Sequence, residues 1–192
     1  MAGCSNSLQA LDPSCAALKQ KGGFDKRFYV GNIADLDSVT YGTQQEVTAF
    51  TFAATKGFKK IIGKRLKNGA ETTLEAGDNV NMRVQNFNSI LYCQSAAERL
   101  AVEELMDAED IFIVAESNAG TLEVFGINKG TNSQFDNYGL KATAGTWNQG
   151  ILLNDPNQVA ATFSGEFENL PLIYDEGTAL ATNIAALDAQ VV

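Results

Sequence analysis

Short runs in which apolar and polar residues alternate recur along this chain, and nearly all carry the period of two that marks a half-buried strand. Thr48 to Ala53 places Phe50 and Phe52 on one face. In Val159 to Phe167, Val159, Ala161 and Phe163 alternate with Ala160, Thr162 and Ser164. Arg27 to Ile33, Asn79 to Cys93, Leu122 to Ile127 and Tyr138 to Thr146 read the same way, and the unbroken apolar run Ile111 to Ala115 predicts a core strand. One segment has helical spacing instead. Ser95 and Glu98 match a capping box and open a helix over 95–108, with Ala97, Ala101, Leu105 and Ala108 as its apolar stripe, flanked by Val102 and Met106. Glu98, Arg99, Glu103, Glu104 and Asp107 fall on its polar face, which reads as solvated surface. Seven or eight strands with mostly hairpin joins and a single helix predict a mainly β chain, an antiparallel sandwich or barrel.

The turn residues divide the chain further. Residues 56–77 predict a protruding hairpin: Phe58 to Leu66 leads to Asn68-Gly69, a strong two-residue turn signal, and Ala70 to Glu75 returns. Its outgoing limb is basic and its return limb carries Glu71 and Glu75, so it reads either as a lysine-guarded edge or as an arm reaching a neighbouring protomer. Asn118-Ala119-Gly120, Gly145 to Gly150 and Asn154 to Asn157 are turn chemistry. Trp147, in the second of these, is either a ligand-stacking residue or a packing or interface anchor. Residues 1–23 read as an N-terminal arm, 24–174 as the β domain and 175–192 as an Ala-rich tail.

Charge changes this picture. Residues 1–96 hold 11 Lys/Arg against 8 Asp/Glu, and residues 97–192 hold 3 against 15, so balances of +3 and −12 make up the net −9. Six of the 14 basic residues lie between Lys56 and Lys67: Lys56, Lys59, Lys60, Lys64, Arg65 and Lys67. Such polarity suits a subunit that recognises copies of itself, because complementary patches steer association and fix register. A pI near 4.5 argues against gripping nucleic acid by its phosphates.

Candidate chemistry is sparse. The chain has no His, which removes Ser-His-Asp and Cys-His nucleophile systems and His-ligated metal sites. Cys4, Cys15 and Cys93 form no CxxC pair; Cys4 and Cys15 are read as free thiols, with pairing possible in an oxidising medium. Neither a phosphate loop nor a run of 18 apolar residues is present, and the N-terminus has no signal-peptide pattern. No enzyme activity, cofactor or metal is expected.

Val30-Gly31-Asn32-Ile33, Gly63-Lys64-Arg65-Leu66-Lys67, Ala97-Glu98-Arg99 on to Ile113, and Asn118-Ala119-Gly120 form a familiar series. With them go Val124 to Gly130, Leu140 to Gly145 and Thr162 to Glu166. Together they resemble the tail tube subunits of tailed phages that infect Bacteroidetes-type bacteria, over most of residues 20–174. The resemblance implies a β-sandwich with a flanking helix. Six subunits would close a ring whose inner wall is a continuous barrel, and rings would stack head to tail into an acidic-lumen conduit for DNA ejection. It implies a location in the virion tail after assembly in the host cytoplasm. The implied partners are other copies of the chain and further tail proteins (terminator, tip, sheath), with DNA passing unbound and no membrane contact. On this reading Lys56, Lys59, Lys60, Lys64, Arg65, Lys67 and Trp147 are candidate inter-subunit contacts, with 56–77 and the N-terminal arm as candidate bridges between rings. A head–tail connector or head decoration protein is the alternative within the virion. A carbohydrate- or receptor-binding module built on Trp147 is the alternative outside that class.

Overall fold

The computed structural model describes residues 22–64, 67–76, 81–92, 95–129, 138–148, 157–177 and 179–192. The expected N-terminal arm lies outside them apart from Gly22 and Gly23. The described residues form eleven strands and two helices. In chain order these are β1 (Phe24–Asn32), β2 (Leu36–Tyr41), β3 (Glu46–Phe52), β4 (Lys59–Ile62), β5 (Gly69–Glu75), β6 (Met82–Tyr92) and α1 (Ala96–Asp107). There follow β7 (Ile111–Ser117), β8 (Leu122–Phe125), β9 (Lys141–Asn148), β10 (Gln158–Phe167), β11 (Leu172–Tyr174) and α2 (Leu180–Ala189). A seven-stranded sheet runs β2-β3-β11-β8-β7-β1-β4, and a four-stranded sheet runs β5-β6-β10-β9. The chain is therefore mainly β, with the two sheets packed as a sandwich. Every strand pair is antiparallel except β11 with β3.

The apolar run Ile111 to Ala115 is buried throughout because the larger sheet is covered on both faces. Toward the smaller sheet, Phe28, Ile113 and Phe125 meet Phe87 and Phe163, and Leu105 of α1 closes the end of this core. Phe87 makes edge contacts with Phe24 and Phe28 at ring-centroid distances of 5.7 and 5.4 Å, geometry favoured by the ring quadrupoles. On the opposite face Tyr29, Phe50, Phe58, Phe112, Tyr174 and Leu187 make a second core. Gly31 is required there, since a Cβ at that position would lie 2.3 Å from the Phe112 ring.

The helix over 95–108 forms as its spacing predicts. The Ser95 hydroxyl accepts from the Glu98 N–H at 3.2 Å, and the Glu98 carboxylate accepts from the Ser95 N–H at 2.8 Å. Leu105 is buried, with Val102, Met106 and Ala108 packed beside it.

Four expectations need correction. The tail holds a second helix, α2, whose Leu187 is fully buried and whose Leu180 and Ile184 pack on the same core. The strand count rises to eleven, with β2 and β11 as strands that had no counterpart in the expected set. Gly145 to Asn148 continue strand β9 rather than turning. Finally, 56–77 is not a protruding hairpin: β4 pairs with β1 in one sheet and β5 with β6 in the other. Over two residues the backbone changes partner, Gly63 N–H bonding Lys26 O at 2.7 Å and Lys64 N–H bonding Ile90 O at 2.8 Å.

Asn68 explains why its turn signal misleads. The residue is 4% exposed. Its amide donates to Asp25 O of β1 at 2.9 Å and its Oδ1 accepts from Ile90 N–H of β6 at 3.2 Å. The side chain thus fastens the two sheets together at the crossover. Asn68→Ala would strand the Ile90 donor in a buried site, and urea unfolding is expected to show a loss of about 1–3 kcal/mol.

Candidate assembly surfaces

The basic cluster predicted from sequence follows the outer margin of the larger sheet, where β4 is the last strand. The structure places Lys59 and Lys60 on β4 and Lys64 at the crossover to the smaller sheet, and partners within the chain engage several members of the cluster. Lys56 pairs with Asp35 at 3.1 Å on the turn after β3. The Lys60 ammonium donates to Asp188 Oδ1 of α2 at 2.7 Å and lies 5.8 Å from the centroid of the Tyr29 ring. Lys59 donates to the main-chain oxygen of Val192 at 3.2 Å, and Lys64 reaches Gln158 Oε1 at 3.5 Å. Lys67 is exposed, and its N–H bonds Lys64 O at 3.3 Å. Arg65 lies outside the described residues.

Sequence reasoning missed the C-terminal residues that share this margin. Phe58 N–H donates to Gln190 O at 2.9 Å and Val192 N–H donates to Phe58 O at 3.1 Å, so the chain end adds a short parallel bridge beside β4. Gly57 permits this approach, because a Cβ there would sit 2.2 Å from Gln190 O. The Tyr29 hydroxyl also donates to Asp188 Oδ1, at 2.7 Å. The Asp188 carboxyl is held below its ordinary range by hydrogen bonds from Lys60 and then from Tyr29, while burial, followed by the Asp188 hydrogen bond, pushes the Tyr29 hydroxyl up. The spacing of Leu180, Ile184 and Leu187 at i, i+4 and i+7 was the available signal for the helix that carries Asp188.

Trp147 extends from β9 toward α1. Its indole N–H donates to Asn157 Oδ1 at 2.9 Å, and the Arg99 guanidinium lies 5.0 Å from the ring centroid. The ring is 41% exposed and held on both sides, in keeping with an anchor between β9 and α1.

The smaller sheet presents the other surface of interest. Its inward positions are the buried Gln85, Phe87, Ser89 and Leu91 on β6 and Val159, Ala161 and Phe163 on β10. Strand register places the intervening residues outward: Asn86 and Asn88, Thr162 and Ser164, and Glu71 and Thr73 on β5. Thr162 bonds Asn88 Oδ1 across the strands at 2.7 Å. The charges on this face are Glu71, Glu75 and Glu166 against Lys141, three carboxylates to one ammonium. Its two margins are β5 and β9. Glu71 and Glu75 guard β5, whereas β9 carries no charged side chain from Ala142 to Asn148, and residues 143–148 are exposed on both faces. An edge of that kind is open to pairing with another strand.

Among the described residues no group of three His, Cys, Asp or Glu side chains is placed to hold a metal. No helix among them is long and apolar enough to cross a membrane. Compared with known proteins, the chain matches no family model and no curated protein.

Asp188 carries a pH-dependent prediction. A carboxyl held below its ordinary value of 3.8 adds stability that is present above that value and is lost as pH falls through the lower folded value. Asp188→Asn is therefore expected to reduce thermal stability at neutral pH. Its melting temperature should approach that of the unaltered protein as pH falls below about 3.8, as a series of calorimetric scans would show.

Proposed function

We propose that this chain is a non-enzymatic structural protein of a phage virion, forming hexameric rings that stack head to tail as the tail tube. The observation that carries the reading is the four-stranded sheet with two margins and an amide- and hydroxyl-rich outer face. Pairing β9 of one copy with β5 of the next would satisfy both margins and set these sheets side by side around a lumen. Each copy would contribute Glu71, Glu75 and Glu166 against Lys141 to that wall. A surface with this excess of carboxylates repels phosphates weakly and leaves DNA free to slide.

The resemblance of the sequence to tail tube subunits supports the same reading, as does the separation of basic and acidic surface. Lys59 lies on the margin of the larger sheet, away from the proposed lumen face, and Lys64 and Lys67 lie at the crossover between the sheets. Heterologous contacts between unlike patches are the type that generates open filaments. The remaining partners on this reading are tail proteins that start or end the tube, with assembly in the host cytoplasm before incorporation into the virion.

Negative-stain electron microscopy, with light scattering at low and high salt, tests the proposal. Hollow tubes or stacked rings that shorten as salt rises are expected, because the screening length falls from about 10 Å at 0.1 M to about 3 Å at 1 M and exposed charge contacts weaken with it. Reversing Lys59, Lys64 and Lys67 to Glu together is expected to abolish stacking while leaving the melting temperature near that of the unaltered protein. Single closed rings that never stack would point to a connector, and a monomer in the presence of a tail-tip nucleus would overturn the reading.

A further inference from the structure

The two margins of the smaller sheet match in length. β5 has seven residues and β9 has eight, of which Thr143 is extra at a bulge, since Phe163 pairs with Ala142 and Thr162 with Ala144. If β9 pairs antiparallel with β5 of a second copy, core-facing residues stay opposite core-facing residues only at even offsets. Within one copy Lys141, Ser164, Asn86 and Glu71 stand in a single cross-strand row. Pairing without offset would set Lys141 against Glu71, and Gly145 to Asn148 would run past the start of β5 at Gly69. Of the even offsets, four alone overlaps the strands from end to end, with Lys141 at Glu75 and Asn148 at Gly69.

The backbone suits such pairing. Ile90 N–H bonds Asn68 Oδ1 and Ile90 O accepts from Lys64 N–H, so Ile90 points toward the β5 side, and alternation directs Asn88, Asn86 and Val84 the same way. The main-chain groups left facing outward are then those of Ala70, Thr72 and Leu74 on β5 and of Ala142, Gly145 and Trp147 on β9. An offset of four uses all six residues. It also lays Leu74, 63% exposed on the core-facing side of β5, beside Ala142. Lys141 and Glu75 are exposed, and no ion pair engages either among the described residues. Six copies bring four strands each, and a stagger of four at every contact makes the shear equal to the strand number, as in barrels whose strands tilt by about 36°.

A hollow of about 410 Å³ lies under the β5 margin, between Ala70 and Thr72 on one side and Phe24, Phe125 and Pro171 on the other. Glu123 lines it without a hydrogen bond or ion pair from the described residues, and burial pushes its carboxyl up. The core-facing side of β9 carries α1: a Cβ on Gly145 would sit 2.5 Å from Met106 Cε, and the Arg99 guanidinium lies 5.0 Å from the Trp147 ring centroid. Setting Trp147 opposite Ala70 would bring a cation to the mouth of a hollow that holds an unpaired carboxylate.

We propose that β9 and α1 of one copy close the β5 flank of the next at an offset of four residues, pairing Lys141 with Glu75 and placing Trp147 and Arg99 over the hollow that holds Glu123. The proposal rests on the ring reading and fixes the register of its contact.

Disulfide capture reads that register, with Cys4, Cys15 and Cys93 replaced by Ser. Lys141 and Glu75 would form a non-hydrogen-bonded pair with Cα atoms about 4.5 Å apart, within disulfide reach. Glu71 would lie roughly 13 Å along the strand from that point. Lys141→Cys with Glu75→Cys is expected to give, on oxidation, a ladder of covalent oligomers ending at the hexamer, and Lys141→Cys with Glu71→Cys only monomer. Ala144→Cys with Thr73→Cys reads the same register if a variant at Lys141 or Glu75 melts early. In the unaltered background, Lys141→Glu or Glu75→Lys alone should weaken ring closure on the order of tenfold per contact, and the two together should restore it. Emission from Trp147, the single Trp, should move to shorter wavelength on assembly. Rings that cross-link through Glu71 or through neither position, or that leave Trp147 emission unchanged, would overturn this register and leave the ring reading standing. An unaltered protein that forms no rings would overturn both.

Discussion

The architecture depends on a single constraint: β1 and β7 are buried on both faces, so each alternate set of their side chains needs its own cover. Phe28, Ile113 and Ala115 are covered by the smaller sheet and α1, whereas Tyr29, Phe112 and Val114 are covered by the aromatic group around Phe50 and Phe58 together with α2. Because Ile111 to Ala115 is closed to solvent on both sides, the larger sheet keeps its polar groups at its margins and ends. The ion pairs Arg27–Glu116 and Lys56–Asp35 are partly exposed, and Lys60–Asp188 sits at the rim of the core beside Tyr29. At such partly exposed sites each contributes about 0–1 kcal/mol, so burial of aromatic and aliphatic surface dominates stability.

Strands with strong apolar alternation were legible. Val159 to Phe167 and Ile111 to Ala115 announce their burial, and the Ser95–Glu98 capping box places the start of α1 to within a residue. The crossover at 63–68 was hidden because Asn-Gly has two possible uses. Here the Asn68 side chain is drawn inward to bond both sheets, a tertiary choice that local turn chemistry does not encode. The second helix was hidden by composition: its alanines dilute the spacing of Leu180, Ile184 and Leu187, and Ala179 gives it no side-chain cap. The basic cluster was legible as a cluster, but its engagement by Asp188 and Val192 depends on that unseen helix.

The assembly reading follows from what the fold leaves unfinished. One sheet ends in β9, uncharged and exposed on both faces from Thr143 to Asn148, and the other ends in a lysine-bearing margin that the last residues of the chain meet through a backbone bridge at Phe58 and through Lys59 and Lys60. Carboxylates collect on the outer face of the smaller sheet, away from the lysines of β4. Unlike surfaces separated in this way favour repeated, directional contact over closed pairing. Inter-strand hydrogen bonding would supply the rigid wall, and charge would set the order in which rings meet.

The central claim is that β9 and β5 become paired strands when copies associate. Amide hydrogen exchange, followed by mass spectrometry on dilute and concentrated protein, tests it most directly. The account predicts slower exchange across 141–148 and 69–75 on concentration, with β7 unchanged because it is already interior. Equal exchange of both margins in the two samples, with assembled particles present, would contradict it.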